Sequence, residues 1–217
     1  MFAAGVKSNA PLAALFHSGG VLADATLAKQ SPTGIRAVFA AKVAAAQHWQ
    51  HALLMQANHA EVLFSSVAAL LGSGGQTIYS AANAWLDATA SGQQEQVGCR
   101  EDCIALYHQT LTGAWNFMQG LPTASVQWGA WSGGGMAAQD RSTVLRVQRM
   151  GMAMIEATRG VGALHDMLCS SSPASGGGVF TAVPFNWPTF IGRMGSKQVP
   201  PMFAAFADQA PVPSANK

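Results

Sequence analysis

The 217-residue sequence carries little charge: Asp, Glu, Lys and Arg make up 10% of it, and the formal net charge is +2. Neither figure supplies the electrostatic footprint that nucleic acid or an anionic membrane surface calls for, which leaves small molecules or proteins as partners. Cysteine is scarce as well. Cys99, Cys103 and Cys169 form an odd set without CxxC spacing, which argues against a disulfide framework or a zinc site and for a reducing compartment, the cytoplasm, with organelle import left open. His48 and His51 lie three apart on an expected helix, but two histidines alone read as packed or solvated side chains, and no metal is assigned. Long apolar runs are also missing. Lys7, Pro11, His17 and Asp24 interrupt the N-terminal third, so no segment reaches the roughly 20 apolar residues that span a bilayer. The opening "MFAAGVKSNAPLAALF" has no basic-then-apolar signal with a cleavage site.

What the chain does have is a 49% apolar share, enough for a real core in one ordinary domain. Short apolar runs alternate with helical spacing. "PLAALFHSGG", "AEVLFSS", "TASVQWGAW" and "GGVFTAVPF" have the form of buried strands, bounded by glycine, serine and proline. A helix is expected from about Pro32 to Met55, with proline in its first turn and an apolar face through Ile35, Val38, Phe39, Val43 and Ala46. "GQTIYSAANAWLDATAS" resumes helical spacing and places Tyr79 and Asn83 one turn apart on one face. Another helix is expected near Ser142 to Met150, and a short one through "MFAAFAD" ahead of a fraying tail.

This alternation predicts an α/β fold, a Rossmann-like doubly wound parallel sheet whose ligand site lies at the carboxyl ends of its strands. His17, Ser66 and Trp128 each close a strand in that reading, so they are expected along one rim. The stretch from Gly92 to Gly120 shifts composition and gathers both close cysteines; it reads as an insertion, bounded at 93–119.

The segments "FHSGGVLADATL", "AAKVAAAQHW", "VLFSSVAALLGSGGQTIYSAANAWLDA", "LPTASVQWGAWSGGGMAA" and "VPFNWPTF" together resemble the ketoreductase domain of type I modular polyketide synthases, in the short-chain dehydrogenase/reductase superfamily. The resemblance runs from about Pro11 to Phe206, apart from the insertion. Its most specific part is spacing: Ser66 stands 13 residues before Tyr79, Asn83 four after it, and Lys42 24 before Ser66. In that family the lysine comes from the earlier helix and an asparagine follows the tyrosine.

The resemblance implies a role for each residue. Hydride addition to a ketone builds negative charge on the carbonyl oxygen, so a hydrogen-bond donor and an acid beside that oxygen lower the barrier. Ser66 is then the donor and Tyr79 the acid. Lys42 partners the tyrosine and the cofactor's ribose hydroxyls, its ammonium favouring the phenolate. Asn83 supports the lysine or a relay water. NADPH is the implied cofactor, held by Lys42 and Tyr79 and by His17, Gly19, Gly20, Trp128 and Gly129 in the strand-end loops. The "SGGG" at 132–135 resembles the family's mobile loop, although a plain flexible loop fits it equally.

Three departures from the family pattern bear on function. No Gly-rich turn follows a first strand to cradle a pyrophosphate, so the chain is expected to be the C-terminal part of a ketoreductase. It would then bind NADPH weakly or not at all by itself and rely on an upstream half and neighbouring synthase domains. Residues 1–206 would be that part and 207–217 a flexible tail. The loop after the first strand keeps Leu22 and Asp24 of the family's LDD motif around Ala23, and Leu71 stands where members of opposite stereochemistry carry tryptophan; both lean toward the LDD-type product. The implied substrate is a β-ketoacyl thioester on an acyl-carrier protein. A non-catalytic synthase subdomain and a free-standing reductase of small ketones remain the alternatives.

Overall fold

The computed structural model describes residues 12, 14–53, 60–95, 123–134, 141–169, 178–193 and 199–209. It holds a four-stranded sheet of order β1-β2-β3-β4, formed by Ala14–His17, Ala60–Ser66, Thr123–Trp128 and Val179–Ala182. The strands are parallel and helices lie between them in sequence, as the alternating pattern predicts. Ala14 pairs with Ala60 and His17 with Leu63. Both strands therefore point the same way, and His17 and Ser66 reach the same rim. Trp128 closes β3, the next strand in order.

The chain divides into two compact units, Met1–Gln127 with Ser171–Phe180, and Trp128–Ser170 with Thr181–Lys217. In the first, Ser31 caps α1 (Pro32–Phe39) by accepting a 3.0 Å hydrogen bond from the Gly34 amide, with Pro32 in the first turn. The long helix expected here is interrupted. Ala40–Ala44 forms a π turn before α2 (Ala45–Leu53) resumes the α-helix, and Met55 lies outside the described residues. The apolar face survives the interruption, with Val38, Val43 and Ala46 buried.

β2 leads through Ser66 into α3 (Val67–Leu71), then a turn at Gly72 and Gly75, both at positive φ, and α4 (Thr77–Glu95). Glycine tolerates that left-handed backbone without the clash a Cβ would bring. Among its described side chains, Ala82, Asn83, Leu86 and Ala90 are the buried positions of α4, a helical stripe that packs Leu86 on Leu63 and Ala46 and sets Ala82 against Val38 and Val43. Burying each leucine contributes about 1.5–3 kcal/mol. α4 runs through Glu95, into the stretch read as an insertion; residues 96–122 lie outside the described residues.

At the other end of β2, the Glu61 carboxylate is 1% exposed. It accepts hydrogen bonds from Gln50 Nε2 at 3.0 and 3.2 Å and from Thr123 Oγ1 at 3.3 Å. Burial pushes its pKa up, and the two donors partly offset the rise. Helix α2 and strands β2 and β3 are thus stitched through one buried acid.

The second unit contains α5 (Arg141–Arg149), α6 (Ala157–Cys169), α7 (Trp187–Arg193) and a 3-10 helix, Pro201–Gln209. The sequence reading left α6 unassigned. Trp187 stacks on Phe206 with ring centroids 3.8 Å apart, and Phe190 and Phe203 close the cluster edge-on at 5.3 Å. Gly160 faces Trp131, whose ring a Cβ at that position would overlap. Among the described residues, no helix is long and apolar enough to cross a membrane.

Candidate active site

The residues singled out as catalytic all lie in the first unit, on α4, the β2 end and the π turn. The π turn admits an extra residue before its hydrogen bond closes, from the Ala45 amide back to Ala40 O, and such bulges recur at functional sites. Lys42 lies inside it. Only 3% of the side chain is exposed, and its Nζ donates a 2.6 Å hydrogen bond to the carbonyl oxygen of Phe64 on β2. The same Nζ stands 5.7 Å from the centroid of the Tyr79 ring. Burial lowers the lysine's pKa to about 8, and the negative charge of Asp87 offsets part of that fall.

Tyr79 is in the first turn of α4, half-buried against Val38, Val43 and Ala82. Burial raises its pKa, the side chains of Ser66 and Asn83 act in the opposite direction, and the charge of Asp24 adds to the rise. The expected shift toward phenolate is therefore reversed: desolvation outweighs the donors around the hydroxyl, which keeps its proton at neutral pH.

Ser66 ends β2 and caps α3, its Oγ accepting from the Ala68 amide at 3.2 Å. One oxygen thus holds the helix start while its hydrogen remains available to Tyr79. Asn83 is fully buried. Its Nδ2 donates to the Tyr79 carbonyl oxygen at 2.8 Å, and its own carbonyl accepts from Ser65 Oγ at 3.2 Å. Its Oδ1 is buried and makes no hydrogen bond among the described residues. Asn83 therefore fixes the first turns of α4, the helix that carries the tyrosine. No hydrogen bond joins it to Lys42 among the contacts described.

The residues expected to hold a cofactor fall into two groups. His17 is buried, and its Nε2 donates a 2.9 Å hydrogen bond to Lys42 O, tying β1 to the π turn; burial lowers its pKa. Gly19 follows, where an added Cβ would stand 3.1 Å from Ala41 O and 3.2 Å from His17 Cε1. Glycine lets the loop pass the π turn this closely. Gly20 comes next and is partly exposed. Trp128 and Gly129 belong to the second unit. Trp128 is buried, its ring 4.9 Å from that of Trp131, and a Cβ on Gly129 would press on Val183 at 3.2 Å.

The loop that carries Leu22 and Asp24 is latched to the turn before α4. Gln76 Nε2 donates to Asp24 Oδ2 at 2.9 Å, and the Ala25 amide donates to Gly75 O at 2.9 Å. A residue the sequence reading passed over also belongs to this neighbourhood. Asp87 lies one turn past Asn83 and two past Tyr79 on α4, and helical periodicity alone places it on their face.

Part of this arrangement suits a nicotinamide nucleotide. After its bond to Phe64, the Lys42 ammonium has two further protons to donate, which with the Tyr79 hydroxyl match a pair of ribose hydroxyls. The phosphate end has no counterpart among the described residues. β1 leads into an irregular loop and a 3-10 turn, Leu27–Lys29, with no glycine turn opening onto an α-helix.

Comparison with known proteins points one way. Residues 1–109 match the model of the KR domain. The chain is 32% identical over 214 residues to the spectinabilin polyketide synthase system protein NorB of Streptomyces orinoci, covering 98% of this chain and 9% of that protein. It also resembles a solved A1-type ketoreductase, with a TM-score of 0.70, 31% identity and coverage of 93% of this chain and 36% of that one. A solved A-type ketoreductase from a modular polyketide synthase gives a TM-score of 0.68 at 32% identity, covering 88% and 34%. The chain therefore spans about a third of these solved domains and a small share of the curated relative.

Proposed function

This chain belongs to the ketoreductase (KR) domain family of polyketide synthases, and on that premise we propose that it forms the catalytic part of an NADPH-dependent reductase of β-ketoacyl thioesters. The observation that carries the reading is the convergence of Lys42, Ser66, Tyr79 and Asn83 in one unit, with Tyr79 kept protonated. When bound, NADPH supplies the hydride.

The chain's own residues supply the rest. Ser66 turns its O–H to the substrate's carbonyl oxygen and stabilises the charge that grows there. Tyr79 gives its proton to that oxygen and completes the alcohol. The Lys42 ammonium, poised near neutral pH, stabilises the phenolate left behind and returns a proton to it. Asn83 holds the turn of α4 that aims the tyrosine. His17 and Gly19 keep the π turn against β1, so Lys42 stays in register.

The phosphate cradle is assigned to an upstream half of the domain, and the substrate to an acyl-carrier protein among neighbouring synthase domains. Large polyketide synthases among the relatives support that assignment. A cytoplasmic, reducing setting fits an odd set of three cysteines without CxxC spacing.

The test pairs this chain with a nucleotide-binding half from a related ketoreductase. It follows NADPH oxidation with a carrier-bound β-ketoacyl thioester and with a free ketone. Faster turnover of the carrier-bound thioester, abolished by Tyr79→Phe, is the expected result. Preference for the free ketone would reject the synthase assignment, and no turnover of either would favour a structural subdomain.

A further inference from the structure

Helix α5 has no part in the chemistry above, yet it concentrates charge in a chain that has little. Arg141, Arg146 and Arg149 all stand on it, all exposed, and its sequence RSTVLRVQR contains no acid. At about 100° of turn per residue, Arg141, Leu145, Arg149 and Arg146 fall within about 140° of arc. Val144 and Val147 lie on the opposite side and are half-buried. Leu145 is 43% exposed. The outward face of α5 is therefore a leucine set among three guanidinium groups.

Helix stability does not account for this pattern. The macrodipole favours cations in the last turn, where Arg146 and Arg149 stand, but disfavours Arg141 in the first turn, which has no acid to offset it. The face is also held in place. α5 ends at Gly151, whose φ is +77°, and whose backbone passes so close to Phe190 N that a Cβ would stand 2.6 Å from it. The amide of buried Met152 donates to Val147 O at 3.1 Å.

We propose that this face of α5 is the docking surface for the acyl-carrier protein, its arginines meeting an acidic helix of the carrier and Leu145 an apolar side chain there. The inference rests on the reductase reading and adds to it the surface its partner uses. Charge complementarity selects the occupant. A second copy of the same face would set arginine against arginine, which like-charge repulsion opposes. Guanidinium groups pair in two-pronged fashion with carboxylates, and the exposed leucine adds an apolar contact that a phosphate group has no use for.

The experiment measures binding of the full chain to an apo acyl-carrier domain from a related polyketide synthase, by fluorescence anisotropy over a range of salt concentrations. Arg146→Glu/Arg149→Glu is expected to raise Kd by about tenfold or more and to flatten the salt dependence. Leu145→Ala weakens binding with the salt dependence kept, and Arg36→Glu, an exposed position on α1, leaves Kd unchanged. Equal Kd for the unaltered chain and a folded double variant overturns the proposal, as does an unaltered chain that does not bind the apo carrier. Binding seen only when the carrier bears its phosphopantetheine arm also overturns it, because the arm's phosphate is then what binds. Should the glutamate pair unfold, Arg146→Gln/Arg149→Gln decides by the same readout with a smaller rise. With the nucleotide-binding half supplied, a KM for the carrier-bound thioester that the charge reversal leaves unmoved sinks the docking surface and keeps the reductase reading. Carrier binding through α5 without reduction of any ketone does the reverse.

Discussion

The Nζ of Lys42 donates its 2.6 Å hydrogen bond to Phe64 O, so the lysine of the π turn is held by the backbone of the strand that ends in Ser66. Two catalytic candidates are thereby fixed to one rigid strand. The arrangement leaves the ammonium buried and titrating near neutral pH, which has consequences that can be measured.

Activity is expected to fall as pH rises through about 8, because the Lys42 charge is lost there while Tyr79 still holds its proton. The pH profile of kcat for the reconstituted domain checks this. A plateau extending well above pH 9, about a unit beyond the lysine's midpoint, would show that Lys42 is not needed in its charged form.

Stability follows the opposite sign. The folded-state pKa of Lys42 lies below the ordinary lysine value of 10.5, so between about 8 and 10.5 the unfolded chain binds more protons than the folded one. Stability from this group therefore rises with pH across that window, by an amount on the order of 3 kcal/mol. The cost of the buried charge is fully present below about 8. Urea unfolding near the two ends of the window, compared with Lys42→Met, isolates the effect; the variant should lack the rise.

Tyr79→Phe keeps the ring packed against Val38, Val43 and Ala82 and removes only the hydroxyl. Losing a positioned acid lowers turnover by about 10²–10⁴, while the melting temperature stays close to that of the unaltered chain. Steady-state rates that remain within about tenfold of the original would remove Tyr79 from the proposed role.

Ser66→Ala tests two functions of one oxygen. Loss of the cap on α3 costs about 1 kcal/mol, and loss of a donor drives the Tyr79 pKa further up. Ultraviolet titration of the phenol in a Tyr107→Phe background reads the second effect, since the chain has two tyrosines. A phenol that ionises more easily after the substitution contradicts the assignment.

Glu61→Leu strips Gln50 Nε2 and Thr123 Oγ1 of the acceptor they share. Losing the acceptor of a buried donor costs about 1–3 kcal/mol, whereas Glu61→Gln keeps an acceptor and costs less. Equal urea midpoints for the two variants would show that the buried acid is not what joins α2, β2 and β3.

The sequence by itself determined the α/β alternation, the strand ends at His17, Ser66 and Trp128, and the Ser66–Tyr79–Asn83 spacing. These depend on local periodicity, on turn residues and on motif spacing, all of which are written in consecutive residues. Tertiary structure alone decided the π turn around Lys42, the split of the chain into two units, and the sign of the Tyr79 shift. It also decided where Asn83 and Asp87 send their hydrogen bonds. Burial and partners come from segments up to 62 residues apart, as between Glu61 and Thr123. A window of neighbouring residues carries no record of how much water such contacts exclude, and that exclusion sets both the pKa directions and the places where polar groups must pair.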